Sequence, residues 1–352
     1  MRHSVLTLVA FLAAMPVAAQ QPKPAASPSR PSSAKAWSPP RTPDGHPDLQ
    51  GIWLNNRATP LERPKALAGK AFLTNDEVAE LKERAAHIFD GSGASDFAGG
   101  DAFFLALLDN PEHYKNGNTT GGSDSMIDRV LDNRTSLVVD PPDGRIPALT
   151  PEGRERLARA PTPTGAGPRL PEGPEDFSNA LRCLSYGVPR IGTNNISGAG
   201  PLGYYQIVQT PGYVVLSLEA IHEARVVSMN GPHLPEDVRE YSGDSRGRWE
   251  GDTLVVDTRN FSPGSNFMGS AANLHLVERF TRAGPDTLDY EITVDDPSTW
   301  TKPWTAVIHL GRTDEKILEY ACHEGNYDLM HSYLAGARAK ETPTGGSAKR
   351  QE

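Results

Sequence analysis

The stretch LHLVERFTRAGPDTLDYEITVDD, residues 274–296, decides the fold because alternate positions carry apolar side chains on both sides of a turn. Successive side chains of a β-strand point to opposite faces, so a period of two predicts strands over Leu274–Arg282 and Thr287–Asp295. The polar turn Ala283-Gly284-Pro285-Asp286 joins them and predicts an antiparallel hairpin.

The same period continues through the C-terminal half of the chain, where similar Asp-containing turns separate the apolar runs. Six further strands are predicted, over Tyr205–Gln209, Tyr213–Ala220, Ala224–Met229, Arg248–Thr258, Trp304–Leu310 and Lys316–Cys322. A meander of about eight strands tends to close on itself, because closure removes the exposed edges. We therefore expect a mainly β protein with an antiparallel up-and-down barrel of the lipocalin type over residues 203–338. A β-sandwich is the alternative.

The N-terminal half is loop-rich. A basic start, an apolar run of about eleven residues and small residues before Gln20 predict a cleaved signal peptide over residues 1–19, because the run is too short for a membrane span. Residues 20–43 are rich in Pro and Ser and predict a disordered tether, and residues 339–352 a disordered tail. The signal peptide implies a periplasmic or secreted protein with no transmembrane segment after cleavage.

Residues 44–202 predict an irregular, partly helical region that packs on the barrel. The capping box Thr74–Glu77 predicts a helix over residues 75–89, and Thr150-Pro151 predicts the start of a short one. Residues 136–139 predict a short strand.

Composition excludes some classes of function. The chain has 352 residues, with 35 Lys and Arg against 44 Asp and Glu, which gives a net charge of −9. The absence of a basic stripe in the sequence argues against nucleic-acid binding. Export to an oxidising compartment predicts a disulfide between Cys183 and Cys322. The alternative, a nucleophilic Cys322 beside His323, is disfavoured because neighbours on a strand point to opposite faces.

Several motifs occur together: DNRT at 132–135, DPPDGR at 140–145, GDSRGRWEGD at 243–252, NLHLVERF at 273–280 and EYACHEGNY at 319–327. In these motifs the chain resembles a large group of exported bacterial proteins that is abundant in soil acidobacteria. The resemblance covers residues 44–339. It implies an exported bacterial protein and does not imply an activity.

Histidines and carboxylates concentrate in the strand-rich half. His222, His275 and His323 each lie in or beside a predicted strand with a Glu nearby, and three imidazoles with a carboxylate suit a divalent metal such as zinc. The alternative is a scatter of unrelated histidines, since no two of them have the short spacing of a metal motif.

Metal-free acid–base chemistry is a second hypothesis. His323 and His275 are the candidate acid and base, with Glu324 and Glu278 as the carboxylates near them. On the strand that begins at Leu274, His275 and Arg279 share one face and Glu278 lies on the other, so only one of these sets can line a cavity. His323 and Glu324 follow a predicted strand. In the alternative interpretation, His323 and Asn326 cap a helix near residues 326–338 and Glu324 offsets its dipole. The candidate substrate-binding residues are Arg279, Arg225, Asn326, Arg134, Tyr205 and Trp304.

Two functions fit these patterns. The first is an exported enzyme, a lyase, isomerase or hydrolase, that acts in a barrel pocket on a sugar acid or an aromatic compound. The second is a non-catalytic, lipocalin-like carrier of a small molecule. An enzyme pocket should hold two or more converging ionisable groups, whereas a carrier pocket should be mostly aliphatic and aromatic. A purely structural protein would fill its barrel with its own side chains. The oligomeric state is left open.

Overall fold

The computed structural model describes residues 37–55, 57–89, 95–96, 101–109, 114–115, 130–160, 171–191, 203–265 and 267–341. The predicted signal peptide lies outside the described residues, as do the tether before residue 37 and the tail after residue 341. The described part is mainly β, with a few helices, as predicted.

Twelve strands are described: β1 (Gly51–Leu54), β2 (Ser95–Asp96), β3 (Tyr114–Lys115), β4 (Val138–Asp140), β5 (Tyr204–Gln209), β6 (Tyr213–Leu218), β7 (Ala224–Met229), β8 (Asp244–Glu250), β9 (Thr253–Arg259), β10 (His275–Gly284), β11 (Thr287–Asp295) and β12 (Trp304–Thr313). The α-helices are α1 (Asn75–Phe89), α2 (Asp101–Leu108), α3 (Pro151–Arg159) and α4 (Cys322–Glu341). Among the described helices, none is long and apolar enough to cross a bilayer.

Nine strands form a closed barrel, which confirms the predicted fold class. The order is β1, then β5 through β12, and β1 closes the ring by pairing with β12, where Ile52 lies opposite Thr313. The short strand β4 also pairs with β12. The barrel is mixed rather than wholly antiparallel, since β7 and β8 run parallel. A parallel pair needs a crossover, which residues 230–243 provide.

The barrel interior is filled by inward-facing side chains from every wall. Trp53, Phe280, Tyr290 and Trp304 are among the largest fully buried residues, and the rings of Phe280 and Tyr290 stack with their centroids 4.4 Å apart. A second apolar cluster, which includes Phe103 and Phe104 of α2, forms a smaller core outside the barrel. The barrel is therefore a packed core over most of its length.

Both N-capped helices begin where the sequence predicts. The Thr74 N–H donates to Glu77 Oε2 over 2.8 Å at the start of α1, and the Gly153 N–H donates to Thr150 Oγ1 over 3.0 Å at the start of α3. The strand predicted over Lys316–Cys322 is wrong, because residues 314–321 form no strand and α4 begins at Cys322. Both edges of β12 are occupied, by β11 and by β1 with β4, so a further strand there has no partner.

Candidate functional site at the mouth of the barrel

One end of the barrel, which we call the covered mouth, lies where β6 ends at Leu218 and β7 begins at Ala224. The connection between these strands holds Ile221 at φ 60° and His222 at φ 53°. A β-branched residue such as Ile221 rarely adopts this left-handed conformation, which costs on the order of 1–3 kcal/mol of conformational free energy. This tight reversal puts Glu223 immediately before β7 at the rim.

Residues 183–191 run across the covered mouth and are tied to α4 by the disulfide. Cys183 and Cys322 are bonded, with their Cα atoms 5.9 Å apart, which confirms the predicted pair. The Asn326 Nδ2 lies 3.3 Å from Cys322 Sγ, so this predicted substrate-binding residue packs on the disulfide.

Glu223 fastens two loops to the rim. Its Oε1 accepts hydrogen bonds from the hydroxyls of Ser185 and Ser242, each over 2.7 Å, and its Oε2 accepts one from the Tyr186 N–H over 3.4 Å. Ser185 and Tyr186 belong to the covering segment, and Ser242 belongs to the crossover between β7 and β8. The carboxylate is buried and is held in one orientation by these three donors.

Beneath the rim, Arg225 forms an ion pair with Glu278, whose side chain is fully buried. The Arg225 Nη2 donates to Glu278 Oε1 over 2.8 Å, Nη1 contacts the other carboxylate oxygen, and the Tyr290 hydroxyl also donates to Glu278. Burial opposes the charge of Arg225, but the attraction of Glu278 outweighs burial and raises the pKa of the guanidinium. Burial raises the pKa of Tyr290, so its phenol keeps its proton.

Arg190 and Tyr205 complete the polar lining. The Tyr205 hydroxyl donates to the Arg190 carbonyl oxygen over 2.6 Å, and the guanidinium of Arg190 lies 4.7 Å from the centre of the Tyr186 ring. Burial lowers the pKa of Arg190 from its ordinary value, although nearby Tyr205 and Glu223 act in the opposite direction. Burial also raises the pKa of the Tyr205 phenol, which therefore remains a donor.

These groups surround a cavity of about 20 Å³, which is room for about one water molecule. Its lining consists of Val188, Arg190, Tyr205, Leu216, Leu218, Glu223, Arg225 and Tyr290. Two arginines, a glutamate and two protonated tyrosines therefore line one small cavity in a packed interior. Guanidiniums bind a carboxylate, a fixed carboxylate can accept a proton, and the carboxylic acid so formed can donate that proton.

The structure divides the candidates on β10 by face. Glu278 points into the barrel with Leu276 and Phe280, whereas His275 and Arg279 point outward. Outside, the His275 Nε2 lies 3.2 Å from Asp257 Oδ2, and the Arg279 Nη1 donates to Glu250 over 2.9 Å. Only the Glu278 face of this strand therefore contributes to the covered mouth.

The three histidines of the metal hypothesis are not brought together. The His222 Nε2 accepts a hydrogen bond from the Tyr320 N–H over 3.3 Å, while His275 contacts Asp257 on the outer wall. His323 and Glu324 are exposed in the first turn of α4, where a carboxylate favours the helix dipole. Within the described ranges, no group of three or more His, Cys, Asp or Glu side chains could hold a metal ion.

The remaining predicted residues divide between the site and the packing. Arg225 and Tyr205 line the cavity, whereas Trp304 stacks with Phe267 in the core. Arg134 lies over the ring of Phe72, 6.0 Å from its centre.

Sequence reasoning did not select Arg190, Glu223 or Tyr290 for the site. Tyr290 carried a usable signal. It shares the inner face of β11 with Leu288, Ile292 and Val294, and it alone of these four residues has a polar group. Arg190 carried no comparable signal, since it lies in an irregular segment that only the folded barrel brings to the mouth.

The chain matches no protein-family model, no curated protein and no solved structure.

Proposed function

We propose that the protein is an exported enzyme that binds a small organic acid at the covered mouth and acts on it by acid–base chemistry. The observation that carries this proposal is the meeting of Arg190, Arg225 and Glu223 at one cavity, together with two phenols that stay protonated. Buried ionisable groups that converge on one cavity are typical of catalytic sites.

The three charged residues of the lining have proposed roles. Arg190 and Arg225 hold the substrate carboxylate, because guanidiniums match its two oxygens. Glu223 moves the proton, and the hydroxyls of Ser185 and Ser242 fix its orientation. Glu278 does not line the cavity and acts as a positioning residue, since it holds Arg225 and Tyr290 in place.

The carrier alternative has less support. A lipocalin-like carrier needs a ligand-sized apolar cavity inside its barrel. Here Trp53, Phe280 and Trp304 occupy the barrel interior. A purely structural protein would also have a filled barrel, and the charged groups around the cavity at the mouth are what favour an enzyme over that role. Export completes the proposal: residues 1–19 have the composition of a signal peptide, and a disulfide is typical of an oxidising compartment.

The test is a screen of small carboxylic acids for binding, by calorimetry, and for conversion, by chromatography of the products. Glu223→Gln keeps the size of the side chain and removes its charge, and we expect it to lower turnover by about 100-fold or more while ligand binding persists. Glu291→Gln, on the outer face of β11, is the matched control and should leave turnover unchanged. If no small carboxylate binds, or if Glu223→Gln turns over as fast as the native protein, the proposal is wrong.

A further inference from the structure

A second cavity lies beside the first. It measures about 10 Å³ and is lined by residues that include Phe261, Phe267 and Leu274. Val188 belongs to the lining of both cavities, and its side chain is buried. One valine of the covering segment therefore borders two small spaces under the same mouth.

The two cavities differ in chemistry. Of the two linings, only the first includes charged side chains, beside phenols and leucines, whereas the second combines Phe261, Phe267 and Leu274 with uncharged polar side chains. Three of the polar side chains around the second cavity already donate within the chain: Ser265 Oγ to the Tyr241 carbonyl, Asn179 Nδ2 to the Gly264 carbonyl and Ser185 Oγ to Glu223, each over 2.7 Å.

A ligand that spans both cavities would thus meet charge at one end and an uncharged surface with two aromatic rings at the other. A sugar ring carries several hydroxyl groups, and few donors of this lining are left to replace the bonds to water that those hydroxyls would lose, which disfavours a sugar ring there. An aromatic ring loses no hydrogen bonds and packs well on Phe261 and Phe267.

We propose that the two cavities are two halves of one binding site for an aromatic carboxylic acid. The carboxylate lies by Arg190 and Arg225, the ring lies by Phe261 and Phe267, and Val188 is the specificity-determining residue between them. This inference rests on the proposed function, because it takes the same mouth as the binding site and names the class of its ligand.

The sizes of the cavities define what Val188 does. A cavity that holds benzene measures roughly 150 Å³, far more than the two spaces of about 10 and 20 Å³ together. An aromatic acid binds only when Val188 and the covering segment move aside, and that conformational step weakens its apparent affinity. Acetate also needs more room than one water molecule, but far less than an aromatic acid, so a shorter side chain at this position should favour the aromatic acid much more than acetate.

The experiment measures dissociation constants for acetate, phenylacetate and benzyl alcohol by calorimetry. For the native protein, we expect phenylacetate to bind about tenfold more tightly than acetate, because it buries its ring, and benzyl alcohol to bind weakly, because it lacks the carboxylate. Val188→Ala should tighten phenylacetate binding about fivefold and leave acetate within about twofold. The matched control is Val226→Ala, on the outer face of β7, where the side chain is 56% exposed, and it should change neither constant.

Leu274→Ala, which enlarges the apolar cavity from its other wall, gives the same comparison if Val188→Ala does not fold, and the same gain for phenylacetate is expected. If acetate binds and phenylacetate binds no more tightly in the native protein and in both variants, the two-cavity site is wrong while the proposed function stands. If neither acid binds, the proposed function itself fails, and this inference fails with it.

Discussion

The buried ion pair of Arg225 and Glu278 should contribute strongly to the free energy of unfolding, and replacing either residue tests this. The Arg225 side chain is only 9% exposed, and Glu278→Leu removes its counter-charge. This change should lower the free energy of unfolding by about 3–5 kcal/mol. The Tyr290 hydroxyl also loses its acceptor, which adds about 1–3 kcal/mol. Arg225→Met should cost a similar 3–5 kcal/mol or so, because it leaves a fully buried carboxylate unpaired. The double variant removes both charges. Its free energy of unfolding should fall by only about 1–3 kcal/mol, mainly because the Tyr290 hydroxyl has lost its acceptor.

The assay is urea denaturation of the native protein, the two single variants and the double variant. Unfolding is monitored by circular dichroism, and the disulfide is kept intact. The double-mutant cycle should give a coupling energy of at least about 3 kcal/mol. The outer-wall pair of Arg248 and Glu250, 2.7 Å apart with side chains 50% and 40% exposed, is the control and should give less than about 1 kcal/mol. If the free energy of unfolding lost by the double variant equals the sum of the losses of the two single variants, the reasoning is refuted.

Three further predictions concern the helices and the disulfide. The hydrogen bond from Lys70 lowers the pKa of Glu77 from 4.5 to about 2, so the stability that Glu77 contributes is present above pH 4.5 and is lost as the pH falls towards 2. Glu77→Gln should therefore flatten the fall in melting temperature over that range, and an unchanged pH profile would contradict this. Replacing Cys183 and Cys322 together by Ser opens a loop of 139 residues, and the chain-entropy relation gives a loss of about 5 kcal/mol in urea denaturation; a loss below about 1 kcal/mol would count against it. Thr150→Ala removes the N-cap of α3 and should cost about 1 kcal/mol by the same measurement, whereas no loss would show that the cap is not stabilising.

The elements that were predicted correctly are those whose signals are local. The helix over residues 75–89 and the strands over Ala224–Met229 and Thr287–Asp295 have the predicted bounds, because periodicity and caps act within a few residues. The closing strand β1 was not predicted. Its four residues become a strand only by pairing with β5 and β12, which lie about 150 and 260 residues away along the chain.

The candidate site shows the same limit. Alternation on β10 showed that Glu278 and Arg279 must face opposite ways, but the choice between the faces depends on the rest of the barrel. Leu276 and Phe280 are fully buried on the Glu278 face, so this apolar pair carries Glu278 inward. Arg225, 53 residues earlier, could be recognised as its partner only once both strands lay in one ring.

The placement of this pair bears on function as well as on stability. An apolar pair of similar volume often supports a protein core at least as well as a buried ion pair, so packing alone gives no reason for two charges at this depth. The charges lie directly behind a cavity that Arg225 and Tyr290 line, where a fixed guanidinium can bind a carboxylate. The double variant Arg225→Met with Glu278→Leu separates the two roles. A barrel that keeps most of its stability but no longer binds small carboxylic acids would show that the charges serve the ligand, whereas retained binding would assign the pair to the core alone.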